Sequence, residues 1–227
     1  MKRSEINQSI KEVVDFLDEL KFRLPPFAFW SPEEWAAKKG EINEIQACML
    51  GWDITDFGCG DFAKTGLTLF TLRNGHLSDP RYTHKTYCEK ILVSQEQQVT
   101  PMHFHWNKVE DIINRGGGEL VIQLFNSTAD DQLSDSDVVV SIDGVLTKVK
   151  AGDEIVLVPG QGVCMPQRLY HSFWARQGTG PVLIGEVSKV NDDNVDNRFY
   201  EKTGRFPVVE EDQKPLYLLF TEYPFAE

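Results

Sequence analysis

Hydrophobic and polar positions fall into two textures along this chain. Over residues 5–22, Ile6, Ile10, Val13, Val14, Leu17 and Leu20 recur at helical intervals, which predicts a helix with one apolar face. Ser4 is placed to cap it, and Pro25-Pro26 forbids its continuation. A second helix is predicted to open at Ser31-Pro32-Glu33-Glu34. Ser31 is its N-cap, Pro32 sits where no N–H is needed, and Glu34 completes a capping box, with Gly40 as the stop. Residues 1–65 thus read as a mostly helical, acidic extension.

After Gly66 the period shortens. Runs rich in β-branched and aromatic residues recur at Leu67–Arg73, Thr86–Val93, Val99–His105, Leu120–Phe125, Val138–Ile142, Val145–Val149, Ile155–Val158, Leu169–Arg176 and Val182–Val187. Asp143-Gly144 between two of them is a two-residue hairpin signal, and Ala151-Gly152-Asp153 and Pro159-Gly160-Gln161-Gly162 are further turns. Many short strands at close spacing predict an all-β antiparallel sandwich or barrel over residues 66–227. Leu216–Phe220 is expected to add one more strand. The whole reads as one structural domain, with the helices packed on the barrel.

Charge then limits the partners. A net charge of −12 argues against a nucleic-acid or anionic-membrane surface. Cys48, Cys59, Cys88 and Cys164 are scattered without a C-x-x-C pair, so reduced thiols are expected. Charges from Lys2 to Glu19 interrupt any apolar leader, and no run is long enough to span a bilayer, which points to a cytoplasmic protein.

The candidate chemistry lies in the histidines. In Pro101-Met102-His103-Phe104-His105, strand alternation puts His103 and His105 on one face. Glu110 follows beyond a short turn, and His171 shares a distant strand face with Phe173 and Ala175. Three imidazole nitrogens and one carboxylate oxygen suit Mn²⁺, Fe²⁺, Co²⁺, Ni²⁺ or Zn²⁺. The pair of histidines alone is a weak signal; the ordered set is the stronger one. His103, His105, Glu110 and Gly117, followed by Gly160, Pro166 and His171, resemble the two motifs of the cupin superfamily. Gln97, Arg168 and Ala175 depart from those motifs, but every ligand position is filled. The resemblance implies a cupin-type antiparallel β-barrel (jelly roll), a bound divalent metal, and a homodimer.

A longer stretch, His103-Phe104-His105-Trp106-Asn107-Lys108-Val109-Glu110-Asp111-Ile112-Ile113-Asn114-Arg115-Gly116-Gly117-Gly118, is similar to the bacterial D-lyxose isomerase family. So is Gly185-Glu186-Val187-Ser188 running into Asn191-Asp192-Asp193-Asn194. This resemblance implies a Mn²⁺-dependent aldose–ketose isomerase acting on free D-lyxose and D-xylulose, and on D-mannose and D-fructose. Such chemistry needs a base to carry a proton between C1 and C2. Glu186 is the expected base, because it interrupts an apolar run on a strand expected to border that of His171. Lys108, between the metal ligands, is expected to act beside it on the developing charge. Lys90, Asp193 and Arg198 are expected to bind the sugar. An Fe²⁺ cupin dioxygenase and a non-catalytic sugar-binding cupin would keep the same ligand set; oxygen uptake and turnover separate these readings.

Overall fold

Inward apolar residues alternating with outward polar ones build two curled antiparallel sheets that face each other. The computed structural model describes residues 1–38 and 40–224. Its strands are β1 Gly51–Thr55, β2 Leu67–Arg73, β3 Tyr87–Ser94, β4 Thr100–His105, β5 Glu110–Gly117, β6 Leu120–Ser127 and β7 Leu133–Ser134. They continue as β8 Val138–Ile142, β9 Val145–Val149, β10 Glu154–Leu157, β11 Gly162–Met165, β12 Leu169–Ala175, β13 Val182–Lys189 and β14 Asn197–Phe199. The larger sheet runs β1-β2-β3-β13-β5-β11-β8-β9 and the smaller one β10-β6-β12-β4-β14, with β7 paired to β6. Between them lies one apolar core that includes Leu69, Leu92, Ile112, Ile122, Leu124, Phe173 and Ile184.

Among the described residues three α-helices precede β1: α1 Arg3–Glu19, α2 Pro32–Ala37 and α3 Asn43–Ala47. Ile6, Ile10, Val13 and Leu17 of α1 are buried against Trp52, Ile54, Phe70, Ile91, Val93 and Leu183, on the outer face of the larger sheet. Replacing one of these isoleucines with alanine would cost roughly 2–5 kcal/mol. Ser31 caps α2 with the expected capping box to Glu34. Ser4 does not cap α1. Lys2 stands at that position, its N–H bonded to Glu5, while Ser4 bonds Asp212 in the C-terminal segment.

Two expectations about elements differ from the structure. The stretch read as helical contains β1, the edge strand of the larger sheet. Leu216–Phe220 forms no strand; only a bridge from Leu219 to Trp52 forms, followed by a short 3₁₀ turn at Phe220–Glu222. Pro215 and the docking of this tail on α1 and β1 leave it no long partner edge. All four cysteines are free, and no helix among the described residues is long and apolar enough to cross a membrane.

Candidate active site

The pairing of β12 with β4 sets His171 directly opposite His103, so residues 68 positions apart meet by strand register. Alternation along β4 then adds His105 on the same inward face. Glu110 opens β5 on the opposite sheet, and the short 106–109 connection crosses from one sheet to the other. The ligand atoms of the three buried histidines lie within 4.8 Å of one another. Glu110 Oε1 is 3.3 Å from His105 Nε2 and 3.2 Å from His171 Nε2.

Two of the histidines are held by backbone carbonyls. His103 Nδ1 lies 2.7 Å from the Pro101 carbonyl and His171 Nδ1 lies 3.0 Å from that of Leu169. A carbonyl can only accept, so each Nδ1 carries the proton and each Nε2 lone pair faces the cluster. Burial, then the neighbouring His171 and His105, push His103 well below its ordinary value; burial brings His171 down to about 4. Burial would raise the Glu110 carboxyl, but Lys108 and His105 hold it well below the usual carboxylate range.

From Glu110 a chain of buried and half-buried charges of alternating sign leads away from the histidines. Lys108 Nζ is 2.7 Å from Glu110 and 2.8 Å from Glu186. Lys90 lies opposite Glu186 on the adjacent strand, 3.6 Å away, and reaches Asp193 at 3.0 Å. Arg205 continues from Asp193 (3.2 Å) to Asp53 on β1 (2.6 Å). Burial opposes the charge of both lysines, yet Asp193 and Glu186 around Lys90, and Glu110 and Glu186 around Lys108, raise their pKa values above the ordinary one. Both ammonium groups are therefore fixed cations. The turn that presents Lys108 is held by buried Asp196, which accepts from the backbone N–H groups of Asn107 (2.8 Å) and Lys108 (3.2 Å).

The histidines, Glu110, Lys108, Glu186, Lys90, Asp193 and Arg205 line one cavity with about 470 Å³ of empty space, its open mouth included. One side of it is polar; Phe57, Leu67, Leu69, Leu92, Phe173 and Phe199 form the apolar wall. Of the residues expected from sequence, His103, His105, Glu110, His171, Glu186, Lys108, Lys90 and Asp193 all line it. Arg198 does not. On β14 it pairs with Phe104 across β4, and strand alternation sends it to the outer face, while Asn197 and Phe199 take the inner one. Nor does the strand of Glu186 border that of His171. β13 lies between β3 and β5 in the larger sheet, and Glu186 faces the histidines across the barrel. Asp53, Asp196, Asn197 and Arg205 were not legible. Arg205 stands in an irregular tail, and Asp53 sits on a short strand between Trp52 and Ile54, on the face opposite those two apolar residues.

Two of the departures from the cupin motifs have a physical reading. Gln97 (φ 59°) and Arg168 (φ 62°) stand where the motifs carry glycine, and both adopt the left-handed conformation. Arg168 is held there by an ion pair with Asp131 at 2.6 Å and by stacking over Phe104 and Trp106.

A metal centre fits these residues. Glu110 Oε1 is buried without a hydrogen-bond partner, an arrangement that costs about 1–3 kcal/mol unless something else binds it. The chain of charges also holds four carboxylates (Glu110, Glu186, Asp193, Asp53) against three cations (Lys108, Lys90, Arg205), so a cation among the histidines would offset the excess.

Fold and site together define a cupin-type barrel whose interior joins a buried three-histidine cluster to a carboxylate–lysine network. Its shape resembles the L-ribose isomerase of Cellulomonas parahominis, with a TM-score of 0.60 at 15% identity, covering 92% of this chain and 98% of that one. It also resembles the Acinetobacter sp. DL28 L-ribose isomerase in complex with L-ribose, with a TM-score of 0.57 at 15% identity, covering 89% and 93%. The model of the D-lyxose isomerase family matches residues 1–223. D-Lyxose/D-mannose isomerases from Escherichia coli O157:H7 and Serratia proteamaculans are each 48% identical over 224 residues, 98% of both chains. The chain belongs to the D-lyxose isomerase family, and it is a sugar isomerase of the aldose–ketose kind.

Proposed function

We propose that the enzyme interconverts free D-lyxose and D-xylulose, and D-mannose and D-fructose, by proton transfer through an enediol, with Mn²⁺ as the preferred divalent cofactor. The names of the two relatives and the family support the sugars. The observation that carries the chemistry is Glu186, buried in the cavity opposite the three histidines and 2.8 Å from Lys108.

His103, His105, Glu110 and His171 would hold the cation, which when bound supplies a Lewis acid for the negative charge that develops on O1 and O2. Glu186 takes a proton from C2 of the aldose, exchanges it in part with solvent, and delivers a proton to C1, while the O2 hydroxyl proton passes to O1, so that C1 ends as the hydroxymethyl carbon of the ketose. Its oxygen already accepts from Lys108, and Ser188 Oγ donates to it at 3.3 Å, so the carboxylate is fixed before substrate arrives. Lys108 cannot serve as a base while its neighbours hold its proton; it donates, and offsets charge as the enediol forms. Lys90, Asp193 and Arg205 bind the remaining hydroxyls. The apolar wall keeps water from the reacting carbons.

The cavity favours an uncharged sugar over a phosphate ester. Each of its three cations is already paired with carboxylates: Lys90 with Asp193, Lys108 with Glu110 and Glu186, and Arg205 with Asp53 and Asp193. A phosphate would have to displace one of them. On the cupin resemblance the working form is a homodimer, which light scattering would weigh. The test of function is a panel of free aldoses, ketoses and their phosphate esters incubated with Mn²⁺-loaded protein. D-Lyxose and D-mannose should give the largest kcat/KM; a preference for the esters would overturn the proposal.

A further inference from the structure

Arg205 enters the cavity from a segment that belongs to neither sheet, so something else must fix it. Thr55 of β1 donates its hydroxyl to the Arg205 carbonyl at 2.7 Å, and the Gly204 N–H donates to the Phe57 carbonyl at 3.0 Å. The guanidinium lies over the Phe206 ring, 4.7 Å from its centroid. One nitrogen, Nη2, is shared between Asp53 (2.6 Å) and Asp193 (3.2 Å). The other, Nη1, is buried and has no partner. A buried donor left unmet is costly, and this one belongs to a side chain lining the cavity. Asp53 itself is buried on β1 and lies outside that lining, behind Arg205.

We propose that Asp53 is a positioning residue, holding Arg205 so that Nη1 donates to a hydroxyl oxygen of the bound sugar. This rests on the sugar-isomerase reading above and names the contact that orients its substrate. Asp193 alone cannot set the guanidinium, because it is also held by Lys90 and by Asn191 at 2.6 Å. Asp53 has no other ion-pair partner among the described residues, so its carboxylate fixes the angle of the fork. The edge strand β1 thereby becomes part of the site although none of its residues lines the cavity.

The test is a double-mutant cycle on the Mn²⁺-loaded enzyme with D-lyxose: Asp53→Asn, Arg205→Met and both together, each read as KM, kcat and thermal midpoint. Asp53→Asn should raise KM about tenfold, the scale of one misdirected hydrogen bond, while kcat changes by less. In the Arg205→Met background the same change should move KM less than about twofold. Equal KM effects in both backgrounds, or an unchanged KM in folded Asp53→Asn protein, would overturn the proposal. If Asp53→Asn does not fold, Arg205→Lys reads the same contact: it keeps a cation for both aspartates but removes the second nitrogen, so KM should rise and an unchanged KM contradicts the assignment. A parent enzyme that isomerises no sugar of the panel would sink the proposed function and this inference together. An active parent with additive defects sinks the inference alone.

Discussion

Lys108 and Glu186 are buried side by side, and each would be costly to bury alone. Their pairing lets a carboxylate stay inside the barrel next to the ligand set. Replacing Glu186 with Gln keeps the size and the hydrogen bonds but removes the basic oxygen. Cation and sugar binding should persist, while kcat falls on the order of a hundredfold to ten-thousandfold, and solvent deuterium should no longer enter C1 or C2 at the parental rate. Normal exchange in that variant would assign the proton to another group. The histidines carry a separate prediction. His171 titrates near 4 in the fold against an ordinary 6.5, because burial disfavours its charged form. Between those values the unfolded chain binds the proton that the folded chain refuses, so stability falls as pH drops. For metal-free protein, denaturant titrations should show full stability above about pH 6.5 and a loss on the order of 3 kcal/mol from His171 alone by about pH 4. A metal-free protein equally stable at both ends would contradict the buried neutral imidazole.

At the scale of elements, strand register does the assembling: β12 on β4 brings His171 to His103, and β13 between β3 and β5 brings Glu186 to Lys90 and near Glu110. The turn glycine of the first cupin motif shows why such register needs glycine. Gly117 has φ +86°, and a Cβ there would meet the Pro181 carbonyl and lie 2.7 Å from the Phe16 ring of α1. Gly117→Ala should therefore lower stability by about 2–4 kcal/mol, measured by chemical denaturation, with α1 loosened from the sheet. Apolar strands such as β2 and β12 were plain in the sequence because every second residue meets the core. β1, β5 and β14 were hidden for the opposite reason. Asp53, Glu110, Asn114 and Asn197 occupy inward or central positions, where the chemistry and its supports replace apolar residues. The histidine–glutamate cluster was legible because two histidines and a glutamate are close in sequence and match a spaced motif. Arg205 was not, since its place depends on where an irregular tail crosses the barrel mouth.

Across the whole molecule, the apolar core between the sheets and the second core under α1 exist independently of the ligand set. Stripping the metal should leave the far-ultraviolet circular dichroism unchanged. Adding Mn²⁺ back at about a hundred times its Kd should stabilise the fold by about 2.7 kcal/mol, visible as a rise in Tm. Collapse of the barrel on chelation would mean that the ion is a structural staple. The histidine–glutamate cluster and Glu186 are expected to act as one centre. The most direct test of this follows D-lyxose by NMR in deuterated water with three samples: protein as purified, protein stripped of metal, and stripped protein given back Mn²⁺. The first and third samples should give D-xylulose with solvent deuterium at C1, and the second neither conversion nor exchange. Conversion at an undiminished rate by rigorously metal-free protein would contradict that expectation.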